Sequence, residues 1–378
     1  MFRKHFPIRA DFESSHSAMG FHHHSTVCDD GQPYWTEGVA YEFTLAEIEE
    51  IETATQKLHD CSMEMVTEIV ASGDYPEGFG FNDHSKSLIE RSWNNDDIHI
   101  YGRFDLVFDG GIKMYEYNAD TPTALLEAAV AQWQWLEETD GVEDQFNSIH
   151  EKLIDRWQLA GADLTTPTLH LFASKLGQYE DWGNLEYMAD TALQGGWDVH
   201  IEEVETLGYD SANGEFVDRM EYPVDHAFKL YPWEWMMDEE FGGHVSTSPT
   251  QWYEPAWKML LSNKAILPVL WQRYPNHPNL LPAFFEEADG YVRKPLLGRE
   301  GANIHRGGRL VEGSHFMPEY DSGYIYQEFA PLPEFDGNYP VIGSWVIGDE
   351  PAGIGIREDR TLISGNGSHF VPHYFREN

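Results

Sequence analysis

The sequence predicts a mixed α/β (α+β) fold in a chain of 378 residues. Three observations predict it: a long amphipathic helical pattern that begins near Leu45, an alternating two-strand pattern across residues 98–118, and a strand–helix–strand pattern across residues 169–204. Hydrophobic residues make up 41% of the chain, which is enough for a sizeable core and excludes wholesale disorder. We expect one unit over residues 1–378, with intimately packed subdomains.

The first clear element is a helix that begins at Leu45. Thr44 can cap it, and Glu47 three residues later completes a capping box. Apolar side chains then recur at helical spacing, which predicts one face packed on the core: Leu45, Ile48, Ile51, Leu58, Met65 and Ile69.

A β-hairpin follows. Apolar and polar residues alternate from Ile98 to Phe108, which is typical of a strand. Gly110 and Gly111 fit a two-residue turn, and the return strand covers residues 112–118. Pro122 then fits the first turn of a helix, whose apolar face consists of Leu125, Leu126, Ala129, Val130, Trp133 and Leu136.

The remaining elements alternate between helices and strands. An amphipathic helix is predicted around residues 146–157, and a βαβ-like unit follows with a strand at 169–173, a helix at 185–193 and a strand at 199–204. Asn213 and Gly214 mark a second hairpin. One helical stretch covers 257–270, and further strands are predicted at 227–231, 291–295, 324–329, 341–347 and 353–357.

The charge balance restricts the partners. The chain has 24 Lys and Arg against 65 Asp and Glu, a formal net charge of −41. Phosphate backbones repel such a surface, so we expect no nucleic-acid partner, whereas a cation such as a polyamine would be attracted. The alternative is that the acidity serves solubility or salt tolerance, and composition does not separate the two.

The lack of a recognisable targeting signal and the small number of cysteines predict a cytoplasmic protein. No apolar run approaches the ~18 residues that a membrane helix needs, so no membrane partner is expected. Cys28 and Cys61 are too few for a disulfide framework. The group His16, His22, His23, His24 and Cys28 favours an N-terminal loop over a transition-metal site, because no helical or hairpin spacing organises it.

Positive charge is concentrated late in the chain. A third of all Lys and Arg lie within residues 258–309: Lys258, Lys264, Arg273, Arg293, Lys294, Arg299, Arg306 and Arg309. In so acidic a protein this cluster indicates an anionic ligand. A set of salt bridges to the surplus acids is the alternative.

The hairpin places four polar residues together. With Gly110 and Gly111 as the turn, Asp105 lies opposite Glu116 and Arg103 opposite Asn118, and opposed residues share one face of the sheet. Two opposed carboxylates repel, so a cation between them is expected, and hard oxygen ligands of this kind suit magnesium. An ordinary solvent-facing sheet surface is the alternative, and a β-bulge would break the register.

Two later segments fit nucleotide contacts. Lys294 ends a strand and is followed by a glycine-punctuated loop, which could present an ammonium and backbone N–H groups to phosphates. The loop lacks the Gly-Lys-Ser/Thr of a Walker motif, and a flexible hairpin is the alternative. The segment Gln327-Glu328-Phe329 could read an adenine edge.

Together these segments resemble the synthetase domain of the glutathionylspermidine synthase family. The resemblance rests on Arg103-Phe104-Asp105, Glu116-Tyr117-Asn118-Ala119-Asp120-Thr121-Pro122-Thr123, Lys264, Lys294-Pro295, Gly298-Arg299-Glu300-Gly301 and Gly355-Ile356-Arg357-Glu358, and it extends over essentially the whole chain. It implies an ATP-grasp-like synthetase fold with a preceding pre-ATP-grasp-type α/β subdomain. Bifunctional members carry an amidase domain, for which this chain has no room, so we expect bond formation without hydrolysis.

The resemblance also implies roles for single residues. Asp105, Glu116 and Asn118 correspond to magnesium ligands, for two ions, and Arg103 and Arg357 to catalytic arginines at the reacting phosphate. Substrate contacts correspond to Thr121 and, in a loosely matching stretch, Glu180 and Asp181. ATP-binding positions correspond to Arg103, Lys264, Lys294, Glu300, Gly301, Gln327, Glu328, Phe329, Ala330, Leu362, Ile363 and Ser364.

The implied activity is ATP- and magnesium-dependent ligation of a carboxylate to an amine. ATP would convert a peptide-like carboxylate to an acyl phosphate, and a polyamine or other cationic amine would attack it to form an amide. One alternative is a true glutathionylspermidine synthase, which uses glutathione and spermidine. An alternative of another class is a non-catalytic nucleotide- or polyamine-binding protein.

Overall fold

The computed structural model describes residues 1–28, 30–177, 179–321, 323–365 and 367–377. Its α-helices are α1 (Phe12–Ala18), α2 (Leu45–Ser72), α3 (Asp83–Asn94), α4 (Gln132–Glu137), α5 (Ile149–Gly161), α6 (Tyr179–Gln194), α7 (Trp233–Asp238), α8 (Met259–Ser262) and α9 (Ile266–Arg273). None of the described helices has the length and apolar character needed to cross a bilayer.

The strands form several sheets. They are β1 (Phe2–His5), β2 (Val39–Thr44), β3 (Tyr101–Phe108), β4 (Ile112–Asn118), β5 (Thr168–Ala173), β6 (Asp198–Glu203), β7 (Gly208–Asp210), β8 (Glu215–Val217), β9 (His226–Leu230), β10 (Gln251–Tyr253), β11 (Ala283–Phe284), β12 (Val292–Pro295), β13 (His305–Arg306), β14 (Arg309–Leu310), β15 (Tyr324–Gln327), β16 (Tyr339–Ile347), β17 (Glu350–Asp359), β18 (His369–Val371) and β19 (His373–Arg376).

The sheet that carries the central residues has the order β18-β17-β16-β3-β4, with antiparallel neighbours throughout. Phe104 and Leu106 on β3 have no exposed surface and belong to the same core as the buried face of α2. Because side chains alternate along a strand, Arg103 and Asp105 lie on the opposite face. The core thus holds one face of this sheet, and the polar residues occupy the other.

Helix α2 confirms the first prediction. Thr44 Oγ1 accepts a hydrogen bond from Glu47 N at 3.2 Å, and the Glu47 side chain accepts one from Thr44 N at 2.9 Å, so both halves of the capping box are present. The helix ends at Gly73, whose φ of 66° is in the left-handed region that favours glycine. Inside the core, Thr55 Oγ1 and Ser344 Oγ lie 2.7 Å apart and join α2 to β16.

The hairpin has the two residue pairs that the sequence predicts, but its turn differs from the prediction. Phe108 pairs with Ile112, so the turn has three residues, and the two-residue turn prediction was wrong. The longer turn shifts the register by one residue, and a bulge at Tyr115 shifts it back, so that Asp105 pairs with Glu116 and Arg103 with Asn118. The bulge also moves Glu116 to the face opposite the core.

A second sheet is parallel and has the order β10-β9-β5-β6. It confirms the predicted βαβ unit. Helix α6 begins at Tyr179, six residues earlier than predicted, which places Glu180 and Asp181 in its first turn. The helix after the hairpin begins at residue 125, with a π-helical turn at Glu127–Ala131. Pro122 therefore precedes the helix. The sequence-based prediction that placed Pro122 in its first turn was wrong.

The third sheet, β11-β15-β12-β13-β14, carries Lys294 on β12 and Gln327 on β15. The predicted helix at 257–270 is divided into a 3-10 turn (Ala256–Lys258), α8 and α9. The division occurs at Asn263, whose Oδ1 accepts a hydrogen bond from Ala265 N at 2.9 Å. Lys264 consequently lies between α8 and α9.

The first and last strands share a small sheet. Strand β2 is its centre and pairs antiparallel with β1 and parallel with β19. Arg3 on β1 donates hydrogen bonds to both carboxylate oxygens of Glu358 on β17, at 2.9 and 2.8 Å, and Tyr41 on β2 donates to the same carboxylate. Bidentate contacts of this kind fix the small sheet against the central one.

Lys258 belongs to the basic cluster, but it serves the fold. It is fully buried and paired with Glu254, and it donates a hydrogen bond to Tyr101 O; the Glu254 carboxylate accepts from Ile100 N and Tyr101 N. The pair therefore holds the start of β3. Of the other members, Arg273 pairs with Glu68 and Arg299 with Glu234, so the salt-bridge alternative accounts for part of the cluster.

We expect Lys258→Met to lower the free energy of unfolding by about 3–5 kcal/mol, because it leaves the buried Glu254 charge uncompensated. Urea denaturation would measure the change. The double variant Lys258→Met/Glu254→Gln removes that charge and should recover part of the loss. A loss below about 1 kcal/mol in the single variant would show that the pair does not hold β3.

Candidate active site

Two clefts meet over the polar face of the central sheet. The smaller encloses about 810 Å³ and the larger about 2330 Å³ of non-atom space, open solvent included. All of the site residues predicted from the sequence line one cleft or both. The junction, where residues line both clefts, consists of Asp105, Glu116, Lys264, Gly298, Arg299, Glu300, Gly301 and Ser364.

Asp105 is held between two arginines at this junction. Its Oδ1 accepts a hydrogen bond from Arg103 Nε at 2.8 Å, and its Oδ2 accepts one from Arg357 Nη2 at 2.6 Å. Burial raises the pKa of the Asp105 carboxyl, but the charges and hydrogen bonds of Arg103 and Arg357 outweigh it, so that the pKa falls to about 2. The carboxylate is therefore ionised at any physiological pH, as a metal ligand must be.

Gly343 makes room for Arg103. It lies on β16 directly opposite Asp105 on β3, and a Cβ at this position would lie 2.8 Å from Arg103 Cδ. Arg103 Nη1 also donates to Thr123 O at 2.6 Å, so two nitrogens of the guanidinium are held and it has little freedom to move away.

Gly343→Ala should therefore displace the Arg103 side chain from Asp105. For the ATP-dependent activity that the resemblance implies, we expect turnover to fall about 100-fold, as when one transition-state donor is lost. The effect on ATP affinity should be smaller, because Arg103 lines the larger cleft only. ADP release and calorimetric ATP binding would measure the two effects. Gly243→Ala, where a Cβ would meet nothing within 4 Å, is the matched control. Wild-type turnover in Gly343→Ala would contradict the role given to Arg103.

Glu116 and Asn118 complete the predicted four-residue patch. Lys264 Nζ lies 2.9 Å from Glu116 Oε2 and donates a hydrogen bond to Gly298 O at 2.7 Å. Asn118 Oδ1 accepts a hydrogen bond from Thr121 N at 3.3 Å, which orients the amide toward the larger cleft. Lys264 therefore joins the hairpin to the loop that follows β12.

Lys294 lies in the smaller cleft and is fixed by Gln327. Its Nζ donates a hydrogen bond to Gln327 Oε1 at 2.6 Å, while Gln327 Nε2 donates to Met114 O at 3.2 Å. Burial lowers the pKa of the Lys294 ammonium to about 8, with Lys264 adding to the effect and Glu116 opposing it. The Gln327 side chain thus positions a cation, while the adenine contact suggested for the segment Gln327-Glu328-Phe329 stays a prediction.

The rest of the smaller cleft has an apolar slot beside this cation. The bulged Tyr115 lines it and donates a hydrogen bond from its hydroxyl to Ala330 O at 2.6 Å. Reasoning from the sequence missed Tyr115. A signal was present, because apolar residues alternate through Ile112 and Met114 and then resume at Tyr117, one residue out of phase. The slot is lined by Tyr115, Val292, Phe329, Ala330, Leu332, Val341, Leu362 and Ile363.

Arg299 reaches from the loop after β12 across the larger cleft. Its Nη1 donates a hydrogen bond to Thr121 Oγ1 at 3.1 Å, its Nη2 pairs with Glu234, and its guanidinium lies 5.5 Å from the ring centroid of Trp235. Thr121 was predicted as a substrate contact. Its hydroxyl is here bonded to a cation from the opposite wall, so the loop and the substrate wall are connected.

Glu180 and Asp181 lie in the wall of the larger cleft, as predicted, and a group that was not predicted lies behind them. His23 Nε2 is 2.7 Å from Glu127 Oε1, and both side chains are buried. The N-terminal histidine segment is therefore not a plain loop: residues His22–Ser25 form a 3-10 turn with His23 and His24 buried. No local pattern could reveal this pairing, because its two partners are far apart in sequence.

The residues fit magnesium in the presence of phosphate. Among the described residues, no three of His, Cys, Asp and Glu converge into a complete metal site. Asp105 and Glu116 nevertheless present two carboxylates at the junction, with the Asn118 amide beside them in the larger cleft. Magnesium is commonly held by one or two carboxylates with substrate phosphates as further ligands. The donor set suits an ion that binds together with a nucleotide.

Comparisons with known proteins show the family of the chain. A family model described as glutathionylspermidine synthase pre-ATP-grasp matches residues 3–376. The chain is 49% identical to a protein of Haemophilus influenzae named as a candidate acid–amine ligase, over 98% of each. It is 28% identical to the bifunctional glutathionylspermidine synthetase/amidase of Escherichia coli, covering 88% of this chain but only 58% of that protein.

A solved structure agrees on the fold. The glutathione synthetase-like effector of Globodera pallida aligns with a TM-score of 0.57 and 11% identity, over 97% of this chain and 96% of the other. At that identity the similarity concerns the fold alone. The ATP-grasp-like synthetase fold predicted from the sequence is confirmed.

Proposed function

The chain belongs to the glutathionylspermidine synthase family of C–N bond-forming ligases, and from this premise we propose that it joins a peptide-like carboxylate to a cationic amine through an acyl phosphate, at the expense of ATP. One observation carries the proposal: Asp105, Glu116 and Lys264 lie where the two clefts meet, and Arg103 and Arg357 donate hydrogen bonds to Asp105 from the larger cleft. A reaction between a nucleotide and a second substrate needs such a junction.

The two arginines would act on the transferring phosphoryl group. Arg103 and Arg357 both point at Asp105 from neighbouring positions in the larger cleft, where the carboxylate substrate would meet the γ-phosphate. Preorganised cations stabilise the charge that develops during phosphoryl transfer, and later on the oxyanion that forms when the amine attacks. Asp105 keeps both guanidinium groups oriented before the substrates bind.

The smaller cleft would hold ATP. Its apolar slot around Tyr115, Val341 and Leu362 suits a flat purine ring. Lys294 in the same cleft and Lys264 at the junction would contact the phosphates. Glu300 and Gly301 belong to the loop that covers the phosphate end, and Leu362, Ile363 and Ser364 line the facing wall.

Asp105, Glu116 and Asn118 would hold magnesium, and we propose two ions. Bound magnesium neutralises charge on the β- and γ-phosphates. In the structure these carboxylates are paired with Arg357 and Lys264. Those cations would then be released toward the phosphates, which is the charge arrangement that the reaction requires.

The larger cleft would take the amine and the acid. Its lining includes eight carboxylates against four Lys and Arg side chains, an excess that favours a cation. Among these carboxylates, Glu180 lies near Thr123 and Arg357, close to the proposed reaction centre, and Asp181 follows it in the same helical turn. Thr121 and Arg299 are the groups best placed to bind the peptide-like acid, through a hydroxyl and a guanidinium.

We propose that residues 1–378 act as one unit, because both clefts draw residues from several sheets. We also propose a cytoplasmic location, since the reaction consumes ATP. Glutathione with spermidine is the specific alternative to an unassigned acid and amine, and the family name supports it.

The test is ADP release from magnesium-ATP with spermidine and other amines, across glutathione, short peptides and amino acids, followed by mass spectrometry of the products. A product with the mass of acid plus amine minus water would establish the ligase and identify its substrates. A glutathione–spermidine product would favour the specific alternative. ATP binding without any product from any pair would favour the non-catalytic alternative.

A further inference from the structure

A buried acid–imidazole pair lies behind the wall of the larger cleft. His23 comes from the 3-10 turn His22–Ser25 and Glu127 from the π-helical turn Glu127–Ala131, and His23 Nε2 lies 2.7 Å from Glu127 Oε1. Glu127 has no exposed surface and His23 is 5% exposed. Neither residue lines the cleft, and nothing in the proposed function uses either of them.

The pair is packed directly against helix α6. A Cβ on Gly183 would lie 3.1 Å from His23 Cε1, so a glycine is needed for the imidazole to approach the helix this closely. Gly183 lies one turn after Glu180, which faces the cleft together with Thr123. Because residues three apart on a helix share a face, the buried pair packs on the same face of α6 as Glu180, one turn further along the helix.

Five titratable or charged groups act on Glu180. They are Glu127 and His23 from the buried pair, Asp181 on the same helix, Tyr34 in the cleft wall and Arg357 on β17. Burial raises the pKa of Glu180, and the Glu127 charge raises it further, to about 7, while His23 opposes the rise. Glu180 therefore changes its charge near neutral pH, which an ordinary surface glutamate does not.

We propose that Glu180 accepts the proton of the cationic amine before the amine attacks, and that the His23–Glu127 pair is a positioning pair that tunes Glu180 for this step. The proposal rests on the proposed function, because it assumes that an ammonium group enters the larger cleft. It assigns a proton acceptor to the cleft that Arg357 also lines, where the acyl phosphate would lie.

The step moves two protons and exchanges one bond for another. The ammonium transfers one proton to the Glu180 carboxylate and becomes a neutral amine, whose lone pair forms the C–N bond. The C–O bond to phosphate breaks, the second proton leaves with the phosphate as hydrogen phosphate, and Glu180 later returns its proton to solvent. The step needs no oxidant, reductant or further reactant.

The direction of the pH dependence follows from the raised pKa of Glu180. A carboxyl with a raised pKa is protonated below it and can accept a proton only above it. Ligation of a cationic amine should therefore increase as the pH rises through about 7.

The first test compares two nucleophiles in Glu180→Gln. Hydroxylamine is already neutral at the assay pH and traps an acyl phosphate as a hydroxamate without a proton acceptor. We expect kcat at saturating cationic amine to fall about 100-fold or more, while hydroxamate formation stays within a few-fold of wild type. A change in KM alone would show that Glu180 only binds the ammonium.

The remaining outcomes are also decisive. If Glu180→Gln loses both products, Glu180 is needed to form the acyl phosphate, and the proton-acceptor role is wrong. If it keeps both, the role is also wrong. If the wild type forms neither a hydroxamate nor an amide, the proposed function itself fails, which is a different result.

The second test uses the buried pair. Glu127→Gln removes a negative charge and should move the acidic limb of the kcat–pH profile to lower pH, whereas His23→Gln removes a positive charge and should move it to higher pH, each by about one unit. His24→Gln is the matched control on the same turn, because its ring packs against His16, 5.2 Å between centroids. A general loss of folding would affect the two variants in the same way, so it cannot produce opposite shifts. Shifts of the acidic limb in the same direction, or no shift, would overturn the pair's role.

Discussion

Asp105→Asn is expected to reduce ligation about 1000-fold or more while the protein stays folded. The carboxylate orients Arg103 and Arg357 and faces the junction of the two clefts, so its loss removes one proposed magnesium ligand and releases two arginines at once. Asparagine has the same size and retains an oxygen that can accept from Arg103. Thermal unfolding should therefore change little compared with activity.

The measurement is ADP release over a range of magnesium concentrations, with product analysis. Asp109→Asn is the matched control, since Asp109 is exposed in the turn of the same hairpin and lines neither cleft. If Asp105→Asn ligates at the wild-type rate, the four-residue patch is an ordinary sheet surface, which is the alternative that the sequence left open.

Lys294→Met should weaken ATP binding at least 10-fold. The ammonium is buried in the smaller cleft and held by Gln327, where it would contact the phosphates. Its pKa of about 8 gives a further signature: the wild-type charge is present below this pH and is lost above it, so ATP affinity should fall as the pH rises through about 8.

Calorimetric titration of ATP between pH 7 and 9 would separate these effects. Lys294→Met should bind weakly with little dependence on pH across this range, whereas Lys57→Met, a change at an exposed position of α2, should behave as the wild type. Equal affinity of Lys294→Met and wild type at pH 7 would show that nucleotide phosphates lie elsewhere.

Local sequence patterns predicted the elements that carry the site. The capping box of α2 depends on residues three apart, and the βαβ unit on the alternation of apolar runs, so both could be read without knowledge of the fold. The pairing of Asp105 with Glu116 was correct because two local deviations compensate: a turn one residue longer, and a bulge at Tyr115.

Other features depend on residues that are distant in sequence. Lys258 appeared to belong to an anion site, and only its burial against Glu254 and the start of β3 reveals a structural role. Glu127 lies in an apolar helical pattern and His23 in a run of histidines, so neither stretch indicates a partner. Burial and proximity decide such roles, and they follow from tertiary packing.

The position of β3 between β4 and β16 has a consequence for the protein during synthesis. Asp105 pairs on one side with Glu116, which is translated shortly after it, and on the other side with Gly343, which is translated much later. At about 5–20 residues per second, the ribosome needs on the order of tens of seconds to travel from the Asp105 codon to the Gly343 codon. A nascent chain that has completed the β3–β4 hairpin still has one open edge, along β3, which carries Arg103 and Asp105. A ribosome that stalls in this interval would leave that edge exposed to other chains, so chaperone demand should be highest before β16 emerges.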